Sequence, residues 1–423
     1  MEFERVEFGK TYTSPLTPEE VNHYSRQLVL PQFGVEGQIK LKNTSVLLVG
    51  AGGLGCSAAI HLAGSGVGQL TIVDHDRIEA SNLHRQILYR SEDVGRYKAE
   101  VLVERCSRSN PLSRMAPVAL CTALTTENCL ELVRNHAVIL DCTDNVYARY
   151  LLNDACVLRG RALVSASALK FDGQLTVYNH QGSVCRRCLF PDPMALQAQS
   201  CDDNGVMGPG TQYLCWCFVR HRCTHHAVPG IMGSLQAMEA IKLASGMAVS
   251  FAGVQLHYDS LSGSFYRFKL RPRNPDCPVC GDKPSIRTLD DSHLGTNTCW
   301  TRQELKAKLD LPGDSIFLVD VRSPVELQIC GFSDSLNIPI TSLQDPSMHA
   351  EVSSQIEARL TAQRTRSDPP MVVTVCRRGN DSQLAVHLLR KILKDEEREL
   401  IVKDLHGGLY AWKKEMDPEF PQY

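Results

Sequence analysis

Nowhere in the 423-residue chain is there an apolar run long enough to cross a membrane, an excess of one charge, an internal repeat or a low-complexity tract. The longest apolar stretches, such as SVLLVGAGGLG and IFLVDV, are strand-length, whereas a membrane helix needs roughly 20 apolar residues in a row. Lys and Arg number 45 against 47 Asp and Glu, a formal net charge of −2. That removes any global electrostatic case for direct nucleic-acid binding or for an anionic membrane. The first ten residues, MEFERVEFGK, have neither the basic start nor the apolar core of a secretory signal, and their acids argue against a mitochondrial presequence. A cytosolic protein is therefore expected. Against these absences stands one abundance, 17 cysteines. In the reducing cytosol they would not serve as disulfides, which leaves metal binding and thiol chemistry.

The length fits two or three domains. In the first half, SVLLVGA (45–51), LTIVD (70–74) and AVILDCTD (137–144) read as buried parallel strands separated by amphipathic segments. That is the pattern of an α/β fold with a doubly wound, mostly parallel sheet. From about residue 162, ALVSASAL and GQLTVYN read as strands joined by KFDG, LQAMEAIKLA (235–244) as a helix, and VQLHYDSLSGSFYRFKL as a hairpin. Residues 281–297 are polar, turn-rich and aperiodic, as a linker is. A second α/β unit follows. TRQELKAKL opens it as a helix with Thr301 placed to cap and Glu304 three residues on, IFLVDV and MVVTVC are buried strands, and SQLAVHLLRKIL is a helix.

The chemistry-bearing residues begin at GAGGLG. Gly50, Gly52 and Gly55 end the first strand and start a helix, and Asp74 closes the next strand. Glycines let the backbone approach a phosphate, the helix N-terminus supplies N–H groups, and the acid can hold ribose hydroxyls. A nicotinamide dinucleotide is the usual reading of such a loop, and an oxidoreductase would bind one. The following DHDRIEASNLHRQ argues otherwise: Asp76, Asn82, Arg85 and Gln86 crowd beyond the second strand, and Lys98 begins the next helix. A triphosphate attacked at its α-phosphorus needs such a cluster, because charge grows on the bridging oxygens and the leaving pyrophosphate.

Two Cys-x-x-Cys pairs, CRRC (Cys185, Cys188) and CPVC (Cys277, Cys280), each stand at a predicted strand edge. Two such knuckles make a closed four-sulfur zinc site, which ties a fold together and leaves no open position for chemistry. Later in the chain, VTVCRRGNDSQLAVHLL puts Cys376 between a buried strand and a helix. A loop wrapped before a helix aims backbone N–H groups at the sulfur, which favours a thiolate or an anionic persulfide. Arg377 and Arg378 either assist that charge or face solvent. A phosphatase would need Cys-x5-Arg, and position 382 is Ser.

YSRQLVLPQFGVEGQIKLKNTSVLLVGAGGLG, SNLHRQ, DCTDN and GSLQAMEAIK together resemble the MoeB/ThiF family of ubiquitin-activating-enzyme-like adenylyltransferases, over roughly residues 20 to 280. The resemblance implies that ATP with Mg2+ activates the C-terminal Gly-Gly of a ubiquitin-like sulfur carrier as an acyl-adenylate. It also implies site residues. Gly53 and Asp74 would contact ATP. The run Ser81, Asn82, Leu83, His84 and Arg85 would surround the phosphates together with Lys98. Asp144 would hold the magnesium, with Asn145 beside the nucleotide. It places one structural zinc on Cys185, Cys188, Cys277 and Cys280. Members are homodimers, and Arg26 of YSRQ would reach the partner's ATP. Cys201 in SCDDNGVMG matches a family cysteine near the adenylate, which forms a thioester or a disulfide with the carrier; an ordinary buried cysteine is the alternative.

From about 298 to 423, LVDVRSPVEL, LNIPI, the Cys376 loop and DLHGGLYAW resemble a rhodanese domain, with Cys376 to Asp381 as its active loop. Asp381 falls where many free-standing rhodaneses carry a basic residue, which favours delivery of sulfur by a protein persulfide, such as that of a cysteine desulfurase, over thiosulfate. The two halves together resemble the eukaryotic adenylyltransferase–sulfurtransferases. Their carriers are the small molybdopterin synthase subunit, for molybdenum cofactor biosynthesis, and the ubiquitin-related modifier that feeds wobble-uridine thiolation of tRNA.

One segment has no place in the family frame. Removing residues 210–227, GTQYLCWCFVRHRCTHHA, restores its pattern. A second zinc site could be drawn from Cys217, Cys223, His225 and His226, but their spacing is not that of a usual ligand set. An added surface loop or translated non-coding sequence accounts better for the insertion. A chain inactivated by it, able only to dimerise and bind carrier, is the alternative to the bifunctional enzyme.

Overall fold

A computed structural model describes residues 14–113, 117–191, 227–289, 299–300, 302–309, 316–363, 371–377, 379–393, 400–405 and 407–421. These fall into two compact units, the first ending at Leu289 and the second beginning at Cys299.

The first unit is built on an eight-stranded sheet: β1 Ser45–Val49, β2 Gln69–Val73, β3 Val118–Leu120, β4 Val138–Asp141, β5 Leu163–Leu169, β6 Asp172–Tyr178, β7 Val254–Asp259 and β8 Ser264–Lys269. Their order is β3-β2-β1-β4-β5-β6-β7-β8, parallel through β5 and antiparallel from β5 to β8. The apolar runs of β1 and β2 are buried along their last four residues, as strands covered on both faces must be. The strand order reverses at β1, between β2 and β4. At such a switch point the strands' C-terminal ends open a crevice where ligands bind.

β1 stops where Gly50 takes φ +97°, a conformation that L side chains rarely adopt. The helix Gly53–Ser65 starts directly afterwards and ends at Gly66, also left-handed. The predicted helix near residue 235 is longer than its sequence signal and runs Ala227–Ser245, with Pro229 in its first turn, where a missing N–H costs no bond. Its Gly233 lies so close to the helix Gly53–Ser65 that a Cβ would collide with the Leu54 carbonyl.

The second unit is a five-stranded parallel sheet of β9 Cys299–Trp300, β10 Ile316–Asp320, β11 Leu336–Asn337, β12 Met371–Val375 and β13 Ile401–Leu405, in the order β11-β10-β12-β13-β9. Alternation along the strands supplies a core to each face. Phe317, Val319 and Val372 pack with Val386 and Leu389 on one side, and Leu318 and Val373 pack with Trp300 and Trp412 on the other. The helix Arg302–Leu309 is present, while its expected cap Thr301 lies outside the described residues. Among the described residues no helix is long and apolar enough to cross a membrane.

Candidate active sites and metal centre

The glycines of the loop after β1 are held from several sides. A Cβ on Gly50 would lie 2.6 Å from the Cys142 carbonyl oxygen, and one on Gly53 would lie 2.9 Å from Pro229 Cβ and 3.0 Å from the Arg85 carbonyl oxygen. Asp74, just past β2, accepts from the Ala51 N–H at 2.6 Å and from the Asp76 N–H at 2.7 Å, so the acid is bound to the loop it serves. Burial pushes its carboxyl above the usual range, with Lys98 pulling the other way. The Tyr89 hydroxyl donates to the Ala51 carbonyl at 2.7 Å and lies 3.2 Å from the Lys98 carbonyl. This buried tyrosine, which carries no signature in the sequence, ties the loop to the first turn of the helix Lys98–Ser109.

Lys98 is 7% exposed, and its Nζ meets Asp76 Oδ2 at 2.8 Å. Burial alone would lower its pKa, but the carboxylates of Asp76, Asp74 and Asp144 outweigh that, and the net shift is upward. Between β2 and this helix, Ala80–Asn82 form a 3-10 turn with Asn82 buried. Arg85 donates to the Ser81 carbonyl at 3.2 Å and stands 3.3 Å from the His84 ring, while Leu83 is half-buried. Gly53, Asp74, the run 81–85 and Lys98 thus gather around one loop. Arg26 is exposed in the last turn of the helix Pro18–Leu28 and makes no hydrogen bond or ion pair with that cluster.

DCTDN leaves β4 at the same end of the sheet. The Asp141 carboxylate is 1% exposed and accepts from the Thr143 N–H at 3.1 Å, the Thr143 hydroxyl at 2.6 Å and the Ser165 hydroxyl at 2.6 Å. That network shapes the turn and leaves Asp144 exposed beyond it. Asn145 caps the helix Val146–Leu158, its Oδ1 accepting from the Ala148 N–H at 2.7 Å.

The same helix anchors the first cysteine knuckle through Asn153 and Asp154. Asn153 Oδ1 accepts the Arg186 N–H at 2.7 Å, and Asp154 grips Arg187 through Nε at 2.9 Å and Nη2 at 2.8 Å. Cys185, Cys188, Cys277 and Cys280 converge: their sulfurs lie 3.8 Å (185–188), 3.6 Å (185–277) and 3.3 Å (188–280) apart. A tetrahedral ion with Zn–S near 2.3 Å has S–S edges of about 3.8 Å, so the donor set fits that metal. The Asn274 N–H also donates to Cys188 Sγ at 3.3 Å, which suits a thiolate. The cysteines sit on a one-turn helix, Arg186–Leu189, and on a turn after β8, not at strand edges. Residues 281–289 fold back on that turn, Gly281 N–H to the Cys277 carbonyl at 3.0 Å and Ile286 N–H to the Pro278 carbonyl at 2.8 Å.

In the second unit, Cys376 directly follows β12 and is 2% exposed. The Gly379 N–H donates to its Sγ at 3.0 Å, and the Ser382 hydroxyl stands 3.4 Å away. The loop is clamped by the glycine pair of DLHGGLYAW. Gly407 and Gly408 have φ of +73° and +60°, and a Cβ on Gly408 would lie 2.5 Å from the Cys376 carbonyl oxygen. The Leu409 N–H bonds that carbonyl at 3.0 Å. Arg377 is half-buried; Arg378, Cys201, the proposed second zinc residues and 210–226 lie outside the described residues.

Residues 24–279 match the ThiF family, and residues 301–415 match the rhodanese-like domain. The chain is 42% identical over 425 residues to "Adenylyltransferase and sulfurtransferase MOCS3" of Danio rerio, covering 96% of this chain and 88% of that protein. With the Mus musculus protein of the same name it is 41% identical over 428 residues, with the same shares covered. Among solved structures, E. coli MccB with MccA-N7isoASN superposes with a TM-score of 0.51 at 23% identity, over 62% of this chain and 75% of that one, a likeness of fold. Both halves of the bifunctional relatives are therefore present, which disfavours an inactive isoform. The chain belongs to the ThiF family and carries a rhodanese-like domain after its adenylyltransferase fold.

Proposed function

We propose that the chain activates the C-terminal glycine of a ubiquitin-like sulfur carrier with ATP and then replaces the adenylate by sulfur from Cys376. Residues 1–280 would carry the first activity, 281–297 the connection and 298–423 the second. The observation that supports this best is the gathering of Gly53, Asp74, Asn82, Arg85 and Lys98 around a glycine loop at the sheet's switch point. A carrier carboxylate oxygen attacks the α-phosphorus and pyrophosphate leaves. Lys98 and Arg85 stabilise the charge that develops on the phosphates, and Asp74 orients the ribose. Asp144 would hold Mg2+, which supplies further charge neutralisation. Asn145, with its oxygen committed to the helix cap, would use its amide N–H beside the nucleotide. Arg26 acts across a homodimer, in line with its exposure.

Sulfur transfer follows from the loop around Cys376. A persulfide there would be stabilised by N–H donors such as that of Gly379. Its terminal sulfur attacks the acyl carbon and AMP leaves, so the carrier is joined to Cys376 through an acyl disulfide. A second thiol, the role proposed for Cys201, attacks the outer sulfur of that acyl disulfide; the Cys376 thiolate departs, free to be reloaded, and an external thiol that attacks the Cys201 sulfur releases the carrier as its thiocarboxylate. The zinc on Cys185, Cys188, Cys277 and Cys280 is structural. The carriers are the ubiquitin-related modifier and the small molybdopterin synthase subunit, the donor is a protein persulfide such as that of a cysteine desulfurase, and the compartment is the cytosol.

The test is ATP–pyrophosphate exchange by the intact chain, insertion included, with the ubiquitin-related modifier. Exchange that depends on a Gly-Gly terminus is expected, and its absence would refute the adenylation reading. Cys376→Ser should keep that exchange and lose thiocarboxylate, read by the mass of the carrier. Thiocarboxylate formed at the normal rate would move the sulfur chemistry elsewhere.

A further inference from the structure

Gln86 belongs to the polar cluster that follows the second strand, but no step of the reaction proposed above uses it. It is 3% exposed, and its Oε1 is buried with no hydrogen-bond partner among the described residues. The backbone around it is anchored. The Gln86 N–H donates to the Asn82 carbonyl at 3.0 Å, the Tyr89 N–H donates to the Gln86 carbonyl at 3.1 Å, and the Tyr89 hydroxyl reaches the phosphate loop. The other end of the amide faces the loop. A Cβ built on Gly52 would meet open space except for one neighbour within 4 Å, Nε2 of Gln86 at 3.9 Å. The donor end of Gln86 therefore borders the space over the N-terminus of the helix Gly53–Ser65, where an anion is favoured.

Nearly all buried polar atoms in native proteins are paired, and an apolar side chain of the same length would fill this volume with no orphaned acceptor. Packing alone therefore does not explain an amide here. A donor aimed at an anion does, because a phosphate presents only acceptors to it. Resting on the ATP reading above, we propose that Gln86 is a further catalytic residue of adenylation. Its Nε2–H donates to a non-bridging oxygen of the reacting phosphate, in a bond that strengthens as charge grows during attack. Being neutral, it adds directionality beside Lys98 and Arg85 without adding charge.

Gln86→Met keeps the length and removes both polar ends; Gln86→Glu keeps the shape and replaces the donor by an acidic acceptor. Both are made in the full chain. Gln86→Met is expected to melt at or above the wild-type temperature, since the unpaired acceptor is gone, yet to lose about 10-fold or more in kcat for carrier-dependent exchange. Gln86→Glu is expected to bind α,β-methylene-ATP about 10-fold or more weakly by titration calorimetry. That measurement needs no carrier, so it stands apart from the fate of the carrier assignment. A Gln86→Met chain that melts lower while keeping wild-type kcat would make Gln86 a packing residue and overturn the proposal. So would a Gln86→Glu chain that binds the nucleotide analogue as tightly as wild type. Where Gln86→Met is both less stable and slower, the binding of Gln86→Glu decides.

Discussion

Lys98 shows how a single charge is kept beside the glycine loop, the proposed phosphate site. Its ammonium is nearly buried, and desolvation acts to discharge it, but Asp76, Asp74 and Asp144 hold its pKa above the ordinary 10.5. A raised lysine pKa contributes stability that is fully present below the unfolded value and is lost as pH rises through the folded one. Lys98→Met is therefore expected to lower stability by about 1 kcal/mol at neutral pH, with the deficit shrinking above about pH 10.5. Thermal melts from pH 7 upward check this, and a deficit that does not depend on pH would count against the charge argument. The lysine and its acids were legible in the sequence as a cluster. The order of their coupling was not, because Asp76 pairs with Lys98 across 22 residues and Tyr89 ties the Lys98 carbonyl to the loop.

At the scale of elements, the helix Gly53–Ser65 is positioned by close backbone approach. The collision that a Cβ at Gly233 would make with the Leu54 carbonyl shows that two helices touch where no side chain fits. Gly233→Ala should destabilise the first unit by about 1–3 kcal/mol, since a small addition to a filled interface forces backbone shifts. It should also weaken ATP binding, because the displaced helix carries the phosphate loop at its N-terminus. Chemical denaturation and nucleotide titration read the two effects, and a variant as stable as wild type would show that the helices can part freely. The glycine loop, both Cys-x-x-Cys pairs and the strand before Cys376 were visible as local patterns. Gly233 was not, because its partner lies 179 positions earlier in the chain (233 minus 54) and no local rule links them.

At the scale of the whole molecule, each unit has its own core, and the four clustered sulfurs belong to the first alone. Calorimetry should resolve two unfolding transitions. Cys277→Ser, which opens the closed sulfur set, should lower only the one assigned to the first unit, on the order of 10 °C. Comparison with the isolated C-terminal half assigns the transitions. A Cys277→Ser chain that melts like wild type in both would argue against a structural metal.

The sequence by itself determined the two α/β units, the glycine turn, the paired cysteines and the cysteine placed between strand and helix. Each of these is written in short-range spacing: apolar period, a turn that only glycine adopts, two thiols separated by two residues. Tertiary structure alone decided that two cysteine pairs with 88 residues between them bring sulfurs to 3.6 Å (185–277) and 3.3 Å (188–280) of one another, that Arg187 is buried against Asp154, and that Gly408 closes on the Cys376 loop. It also decided that Gln86 holds an unpaired acceptor beside Gly52. These depend on packing between distant segments, where the energy of a contact is set by what the fold brings near and not by what the chain places next.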